Sequence, residues 1–157
     1  MPPLTFRRAG ESDLDRILAL LADDPLGASR ERTDPSHRLP YLAAFRRVDA
    51  DPNQLLAVAE LDGEVVGTLQ ISFLDGLSRG GMRRGQIEAV RVAAERRGTR
   101  IGEALIQWAV DQCRAAGCGL VQLTTDRSRT DAHRFYDRLG FKASHVGYKL
   151  DLQARRR

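Results

Sequence analysis

The 157-residue sequence predicts a mixed α/β domain, and three observations predict it. Apolar residues switch along the chain between a two-residue and a three-to-four-residue period, the signatures of strand and helix. Asp62-Gly63 separates two β-type runs, as a two-residue hairpin turn does. The segment from Gln86 to Ala116 passes from a strand through a short glycine-containing turn straight into a long helix. The length fits one domain, and 42% apolar with 29% charged residues is ordinary for a folded chain.

The elements follow in order. Leu4 to Arg7 reads as a short strand. Ser12 caps a helix whose Leu14, Ile17, Leu18 and Leu21 share one face, and Asp24-Pro25-Leu26-Gly27 is read as its stop. The polar stretch to Pro35 reads as a loop. Leu39, Leu42, Phe45 and Val48 form the face of a second helix. Gln54 to Leu61 and Glu64 to Phe73 are the arms of the hairpin, and Asp75 to Gly81 breaks the pattern. Gln86 to Val92 is a strand with Glu88, Val90 and Val92 on one face by simple alternation. Thr99 to Ala116 is a helix with Ile101, Leu105, Trp108, Ala109 and Cys113 as its stripe, ended by Gly117. Leu120 to Thr124 is a short buried strand, Thr130 to Leu139 a helix closed by Gly140, and Phe141 to Leu150 a final strand. No repeat or linker divides the chain, so residues 1–152 are expected to be a single domain and 153–157 a basic tail.

Several functional classes are excluded at this level. The longest uncharged stretch is the eleven residues from Ala115 to Thr125, against the roughly 20 a membrane helix needs. The start, Met-Pro-Pro-Leu-Thr-Phe-Arg-Arg, lacks the apolar core of a signal peptide, so a cytoplasmic protein without a membrane partner is expected. Cys113 and Cys118 make neither a disulfide framework nor a zinc site and read as inert thiols. The scattered His37, His133 and His145 suggest no metal. The net charge is +4, and Arg155, Arg156 and Arg157 supply three of those units. A balanced body with a short basic tail lacks the positive face that nucleic acid requires.

The chemistry is expected at the turn between Val92 and Gly102. A helix entered directly from a strand aims its first backbone N–H groups, and the positive end of its dipole, at one point, which suits phosphate. Gly98 allows close approach of a ligand, and Arg96, Arg97 and Arg100 add charge. The Gly-Lys-Ser/Thr of nucleotide triphosphatases and the Gly-x-Gly-x-x-Gly of dinucleotide sites are both missing. On spacing alone, a plain strand-to-helix connection stays equally open.

Arg97-Gly-Thr-Arg-Ile-Gly102 resembles the Arg/Gln-x-x-Gly-x-Gly/Ala pyrophosphate loop of the GNAT acyl-CoA N-acyltransferases. Some thirty residues on, Asp131-Ala-His-Arg-Phe-Tyr-Asp-Arg-Leu-Gly-Phe141 resembles that family's Ala-x-x-Phe-Tyr-x-x-x-Gly-Phe block, and Phe6-Arg-Arg-Ala-Gly-Glu-Ser-Asp-Leu14 a common opening. The resemblance spans nearly the whole chain. It implies a GNAT fold: a central, mixed, splayed sheet of six to seven strands flanked by about four helices. Two positions depart from the pattern. Arg100 stands where the loop usually carries its second glycine, a substitution that costs nothing if the residue is helical. Arg129 stands where many relatives have asparagine.

The resemblance further implies acetyl transfer from acetyl-CoA to an amine, with no metal. The loop residues Arg97, Gly98, Thr99, Arg100, Ile101 and Gly102 would hold the cofactor's diphosphate. The resemblance also implies that the strand before the loop bulges and splays from its neighbour, so that backbone groups of Val90, Arg91 and Val92 would pair with the pantetheine arm and the N–H near Val92 would polarise the thioester carbonyl. Tyr136 matches the tyrosine that protonates the leaving thiolate, a role that suits a phenol with an ordinary pKa of about 10. Glu88 matches the acid that removes the amine proton, directly or through water, against a solvated edge carboxylate or a salt bridge to Arg83 or Arg84 as the plain alternatives. His133 is expected to pair with Asp137. For the acceptor, Asp23 and Asp24 are candidates for a cationic amine, and Arg30, Arg32, Arg83 and Arg84 for a carboxylate or phosphate. A small-molecule amine is the expected acceptor. The alternatives are a protein or peptide acetyltransferase acting on an N-terminus or lysine, and a non-catalytic acyl-CoA-binding regulatory module, against which Glu88 and Tyr136 argue. A homodimer is compatible with the resemblance.

Overall fold

The computed structural model describes residues 3–153; the expected arginine tail lies outside them. The chain forms two compact units, Met1–Leu123 and Thr124–Arg157.

The first unit is built on five strands in the order β1 (Thr5–Arg8), β2 (Gln54–Leu61), β3 (Glu64–Leu74), β4 (Arg84–Val92) and β5 (Leu120–Leu123). The first four pair antiparallel, and β5 runs parallel to β4. The helices are α1 (Leu14–Ala22), α2 (Pro25–Arg30), α3 (Arg38–Ala50), the single turn α4 (Ser78–Gly81) and α5 (Ile101–Ala115). Asp62 and Gly63 both take positive φ, as the tight hairpin between β2 and β3 demands.

Two layers cover the sheet. Leu14, Ile17 and Leu18 of α1 and Phe45 of α3 close over Val58 on one face. On the other, α5 lies so near β4 that a side chain at Gly85 would strike the Cys113 sulfur. Gly67 of β3 faces Leu105 of α5, and the next residue, Thr68, faces α1 and α3, as the two-residue strand period requires. Leu69, Ile71, Ile87, Leu105, Ile106 and Cys113 are fully buried. Burial pushes the Cys113 thiol up to about 11. Trp108, on α5, stacks on Phe6 of β1 with ring centres 5.7 Å apart. Asp13 is buried between β1 and α1, accepts from both Arg7 Nη atoms and from the Gly10 N–H, and is held below the usual carboxylate range by Arg7.

The second unit holds α6 (Thr130–Arg138), which has no buried residue, and an extended segment to Gln153. Gly140 ends the helix with φ 90°.

Three expectations are corrected. Asp24-Pro25 does not end structure but begins α2: Asp24 accepts from the Gly27 N–H and proline occupies the first turn, a start signal that resembles a stop because both use the same residues. Phe141 to Leu150 forms no strand among the described residues, so the sheet has five strands rather than six or seven. Alternation shows that a segment is strand-competent, whereas a ladder needs a neighbour that lies elsewhere in the sequence. The first α-helical residue is Leu14, and Ser12 sits inside a preceding 3-10 turn rather than at the cap. Among the described residues no helix is long and apolar enough to cross a membrane.

Candidate active site

Strand β4 carries the irregularity on which the site is built. Its ladder with β3 pairs Glu88 with Gln70 and Arg91 with Thr68, so two residues of β4 oppose one of β3. This is a β-bulge, and Ala89 within it sits in the left-handed region at φ 54°. Strict alternation from Glu88 to Val92 is therefore interrupted, which corrects the expectation that Glu88, Val90 and Val92 share one face.

The same strand parts from its other neighbour. Pairing with β5 runs from Arg84↔Leu120 to Ile87↔Leu123 and stops there. From Glu88 to Val92, no strand among the described residues borders that edge, which leaves a main-chain groove that an extended ligand can join as an added strand.

A cavity of about 130 Å³ opens beside the bulge, between the sheet and helices α1 and α3. Ala89, Thr68 and Gln70 form its sheet side, with Leu18, Tyr41 and Phe45 among the residues above. Residues opposed in register share a sheet face, so Glu88 stands on the cavity side next to Gln70. Glu88 is exposed and makes no ion pair to Arg83 or Arg84. Tyr41 donates to Glu31 at 2.8 Å and accepts from the Arg32 N–H at 2.9 Å. The Arg32 N–H lowers its phenol pKa, but burial and the Glu31 carboxylate outweigh that and leave it raised.

Beyond the bulge the chain makes a 3-10 turn (Ala94–Arg96) and enters α5. Gly98 is left-handed at φ 78°, with open space where a side chain would project. The first helical bond of α5 is donated by Ala104 to the Arg100 carbonyl, so the amides of Ile101 and Gly102 lead the helix ahead of it. Arg100 itself is left-handed at φ 66°, so the condition under which its substitution for glycine would cost nothing is not met, and it carries the strain a glycine would avoid. Its guanidinium turns onto the Glu103 carboxylate through two hydrogen bonds of 3.0 and 3.1 Å, away from the loop amides. Thr99 Oγ1 donates to the Arg96 carbonyl.

Of the three arginines expected to bring charge to the loop, Arg97 and Arg100 are engaged by other groups. Arg97 donates to the carbonyls of Val92 (3.3 Å) and Asp23 (3.0 Å), and its Asp23 carboxylate contact is 3.6 Å. Arg91 is nearly buried, donates to the Val90 carbonyl at 2.9 Å and pairs with Asp24 at 3.1 Å. Asp23 and Asp24 thus tie the loop and the bulge to the end of α1. What fits a diphosphate here is main-chain: the leading amides of α5, the bare Cα of Gly98 and the helix dipole.

Of the other arginines considered, Arg83 donates to Asn53 Oδ1 and lies over the Phe73 ring, Arg30 donates to the Leu26 carbonyl and Arg32 meets His37. Arg84, half-buried on β4, donates to Gln122, which in turn donates to Gln86. Sequence reasoning missed this row of Arg84, Gln86 and Glu88 on one strand face, although their spacing of two was visible.

Tyr136 belongs to the second unit. It lies half-buried between Phe135 and Phe141, with ring centres at 5.1 and 5.8 Å. Its carbonyl accepts from the Phe141 N–H, so the block from Asp131 to Phe141 folds as one local motif. His133 bonds to the Asp126 carbonyl at 2.9 Å rather than pairing with Asp137. Among the described residues no group of three or more His, Cys, Asp or Glu could hold a metal ion.

Comparison with known proteins bears on this geometry. The model of the acetyltransferase (GNAT) family matches residues 14–141. An aminoalkylphosphonate N-acetyltransferase of Salmonella typhimurium is 34% identical over 151 residues, 94% of this chain and 91% of that protein. A glucosamine 6-phosphate N-acetyltransferase of Trypanosoma brucei brucei is 34% identical over 90 residues, 57% of this chain and 59% of that protein. A crystal structure from Bacillus halodurans, described as a transcriptional regulator, superposes with a TM-score of 0.92 at 44% identity, covering 96% of this chain and all of that one.

Proposed function

The chain belongs to the GNAT acetyltransferase family, and on that premise we propose that it moves an acetyl group from acetyl-CoA to the primary amine of a small molecule, by direct attack in a ternary complex. The observation that carries this reading is the juxtaposition on β4 of a bulge, an open main-chain edge and an acid on the cavity side. Residues 1–152 act in it as one catalytic domain.

Bound acetyl-CoA supplies an activated acyl group and a thiolate that can leave. The amides at the start of α5 hold its diphosphate, with Gly98 giving room and Thr99 and Arg100 shaping the turn. The main chain of Val90, Arg91 and Val92 takes the pantetheine arm as an added strand, and the N–H near Val92 polarises the thioester carbonyl. Glu88 accepts a proton from the incoming ammonium, through water given its exposure, because a protonated amine has no lone pair to attack with. Tyr136 gives its phenolic proton to the departing sulfur. An acyl-cysteine route is disfavoured, since burial keeps the Cys113 thiol protonated and inert.

The acceptor we propose carries a phosphonate or phosphate beside its amine. Both enzymes named above act, by their names, on compounds that join the two groups. Arg84 supports this, standing four residues before Glu88 on the same strand face, about 13 Å along an extended chain. Its guanidinium can meet the anion while Glu88 meets the amine.

The test is release of free CoA across a panel of aminoalkylphosphonates, amino-sugar phosphates, aminoalkyl carboxylates and peptides. We expect the highest kcat/KM for the phosphorus oxyanions. A peptide preference would replace the small-molecule reading, and no release with any amine, together with no rise in Tm on adding acetyl-CoA, would remove the enzymatic one. Tyr136→Phe should lower kcat about 100-fold while leaving acetyl-CoA binding in place. Glu88→Gln should lower the rate at neutral pH and move the profile to higher pH, where the amine is deprotonated without help.

A further inference from the structure

One register row on the cavity side of the sheet is polar across four strands. Gln54 of β2 is opposite Ser72 of β3, Ser72 is opposite Gln86 of β4, and Gln86 is opposite Gln122 of β5. Gln70 and Glu88, themselves opposed, lie two residues along on the same face, where Gln70 lines the cavity. All of these except Glu88 are half-buried. Under α1 and α3 the same face is closed by apolar packing around Val58, whereas here it is floored with amides.

The hydrogen bonds give these amides a direction. A primary amide has a donor end and an acceptor end, and a neighbour that can only accept or only donate decides which end it takes. Asp51 is such a neighbour at one side. Its carboxylate accepts from the Asn53 N–H at 2.8 Å and from Gln54 Nε2 at 3.0 Å. Gln54 therefore turns its Oε1 to Gln70, whose Nε2 donates to it at 2.7 Å, and Gln70 keeps its own Oε1 to accept from a ligand. At the other side stands Arg84, which only donates. Its Nη1 meets Gln122 Oε1 at 3.3 Å, Gln122 Nε2 donates to Gln86 Oε1 at 2.7 Å, and Gln86 keeps its NH2 group to give. Two chains of hydrogen bonds, begun by opposite charges, end in opposite polarities: an acceptor beside Glu88 and a donor beside Arg84.

We infer that Gln70 and Gln86 determine specificity by reading the direction of the acceptor: Gln70 Oε1 accepts from its amine N–H, and the Gln86 NH2 group donates to its oxyanion. The inference rests on the reading of the chain as an acetyltransferase of amines that carry a phosphonate or phosphate, and it says why such a molecule enters one way round. Reversed, the oxyanion would meet the Gln70 carbonyl and the Glu88 carboxylate, while the ammonium would meet Arg84 and an N–H with no lone pair to offer. An uncharged acceptor holds the amine without taking its proton, which leaves that step to Glu88. Diagonal positions on paired strands lie about 7–8 Å apart, so the two ends of the acceptor are separated by only a few bonds.

The experiment compares kcat/KM for an aminoalkylphosphonate with that for the plain alkylamine of equal chain length, in the full chain and in its variants. Gln86→Glu still accepts from Gln122 but turns an oxygen toward the oxyanion. We expect the preference for the phosphonate, the ratio of the two values, to fall about tenfold or more through KM, and Gln86→Met to lower it less. Gln70→Met should lower kcat/KM for both acceptors about tenfold and keep their ratio within about threefold, because both carry the amine. Glutamines that served only the packing of the sheet would weaken both acceptors alike at either position. A ratio unchanged in both Gln86 variants therefore overturns the inference, as does a ratio that falls as far in Gln70→Met. In the unaltered chain, titration with the aminoalkylphosphonate should shift the Gln86 side-chain NH2 signals in nitrogen–proton correlation spectra, and the plain amine should not. No such shift at saturation overturns the inference even where a variant fails to fold. An unaltered chain with no preference for the phosphonate removes the acceptor reading and this inference together, whereas a preference that survives both Gln86 variants removes the inference alone.

Discussion

Two residues with side chains sit in the left-handed region on either side of the same turn, and they hold that conformation for different reasons. Ala89 lies in the β4 bulge with φ 54°, and Arg100 precedes α5 with φ 66°. At Ala89 the conformation is imposed by register: two residues must be accommodated opposite one, and the ladder with β3 before and after the bulge fixes the outcome. At Arg100 it is imposed by the entry into a helix, and an ion pair to Glu103 accompanies it. The first strain is built into the sheet and the second is local. The same contrast runs through the two neighbouring carboxylates that anchor these regions. Asp24 meets Arg91 with side chains 14% and 11% exposed, whereas Asp23 meets Arg97 with both about half exposed.

The sharpest way to break the comparison is Ala89→Val. A β-branched side chain at positive φ costs about 2–3 kcal/mol, and the relief available is loss of the bulge itself. We expect a fall in Tm together with a drop in kcat/KM of about 100-fold, because Glu88 and the polarising amide then move out of register. Ala89→Gly should retain both, which checks that backbone conformation rather than side-chain volume is at issue.

Next in size is Asp24→Asn. It leaves the Arg91 guanidinium in a nearly closed site without its carboxylate and weakens the cap of α2, at a cost of about 2–4 kcal/mol in a denaturant titration. Equal losses for Asp24→Asn and Asp23→Asn would erase the distinction between the two anchors.

Arg100→Gly should act in the opposite direction. Relief of about 1–2 kcal/mol of left-handed strain exceeds the chain entropy of glycine, about 0.5–1 kcal/mol, and the small surface ion pair that is lost. A gain of about 0.5 kcal/mol, or 1–2 °C in Tm, is the expected result, with acetyl-CoA binding kept. A loss of stability would show that Glu103 holds the turn more firmly than the geometry indicates. Asp23→Asn should be the smallest, below about 0.5 kcal/mol, and should shrink further in salt.

The sequence made the helices and hairpin legible because their signals are local. Leu14, Ile17 and Leu18 repeat on one face, Asp62-Gly63 encodes its own turn, and Gly117 and Gly140 mark helix ends that the structure confirms with positive φ. The turn into α5 was legible for the same reason. The bulge was legible only through the family resemblance; its position was not, since Ala89 is an ordinary residue in an apolar run and its conformation is set by β3. The engagements of Asp23, Asp24, Arg91 and Arg97 were likewise hidden, because each pair bridges some seventy residues of sequence. Asp24-Pro25 misled in another way: capping residues punctuate the beginning of a helix with the letters that break one.

The stack of Trp108 on Phe6 gives the protein a built-in optical reporter. It is the sole tryptophan of the chain, and both rings belong to the first unit. Indole emission therefore follows the melting of β1 from α5. Exciting the indole alone reads the packing of the first strand against the long helix without a label.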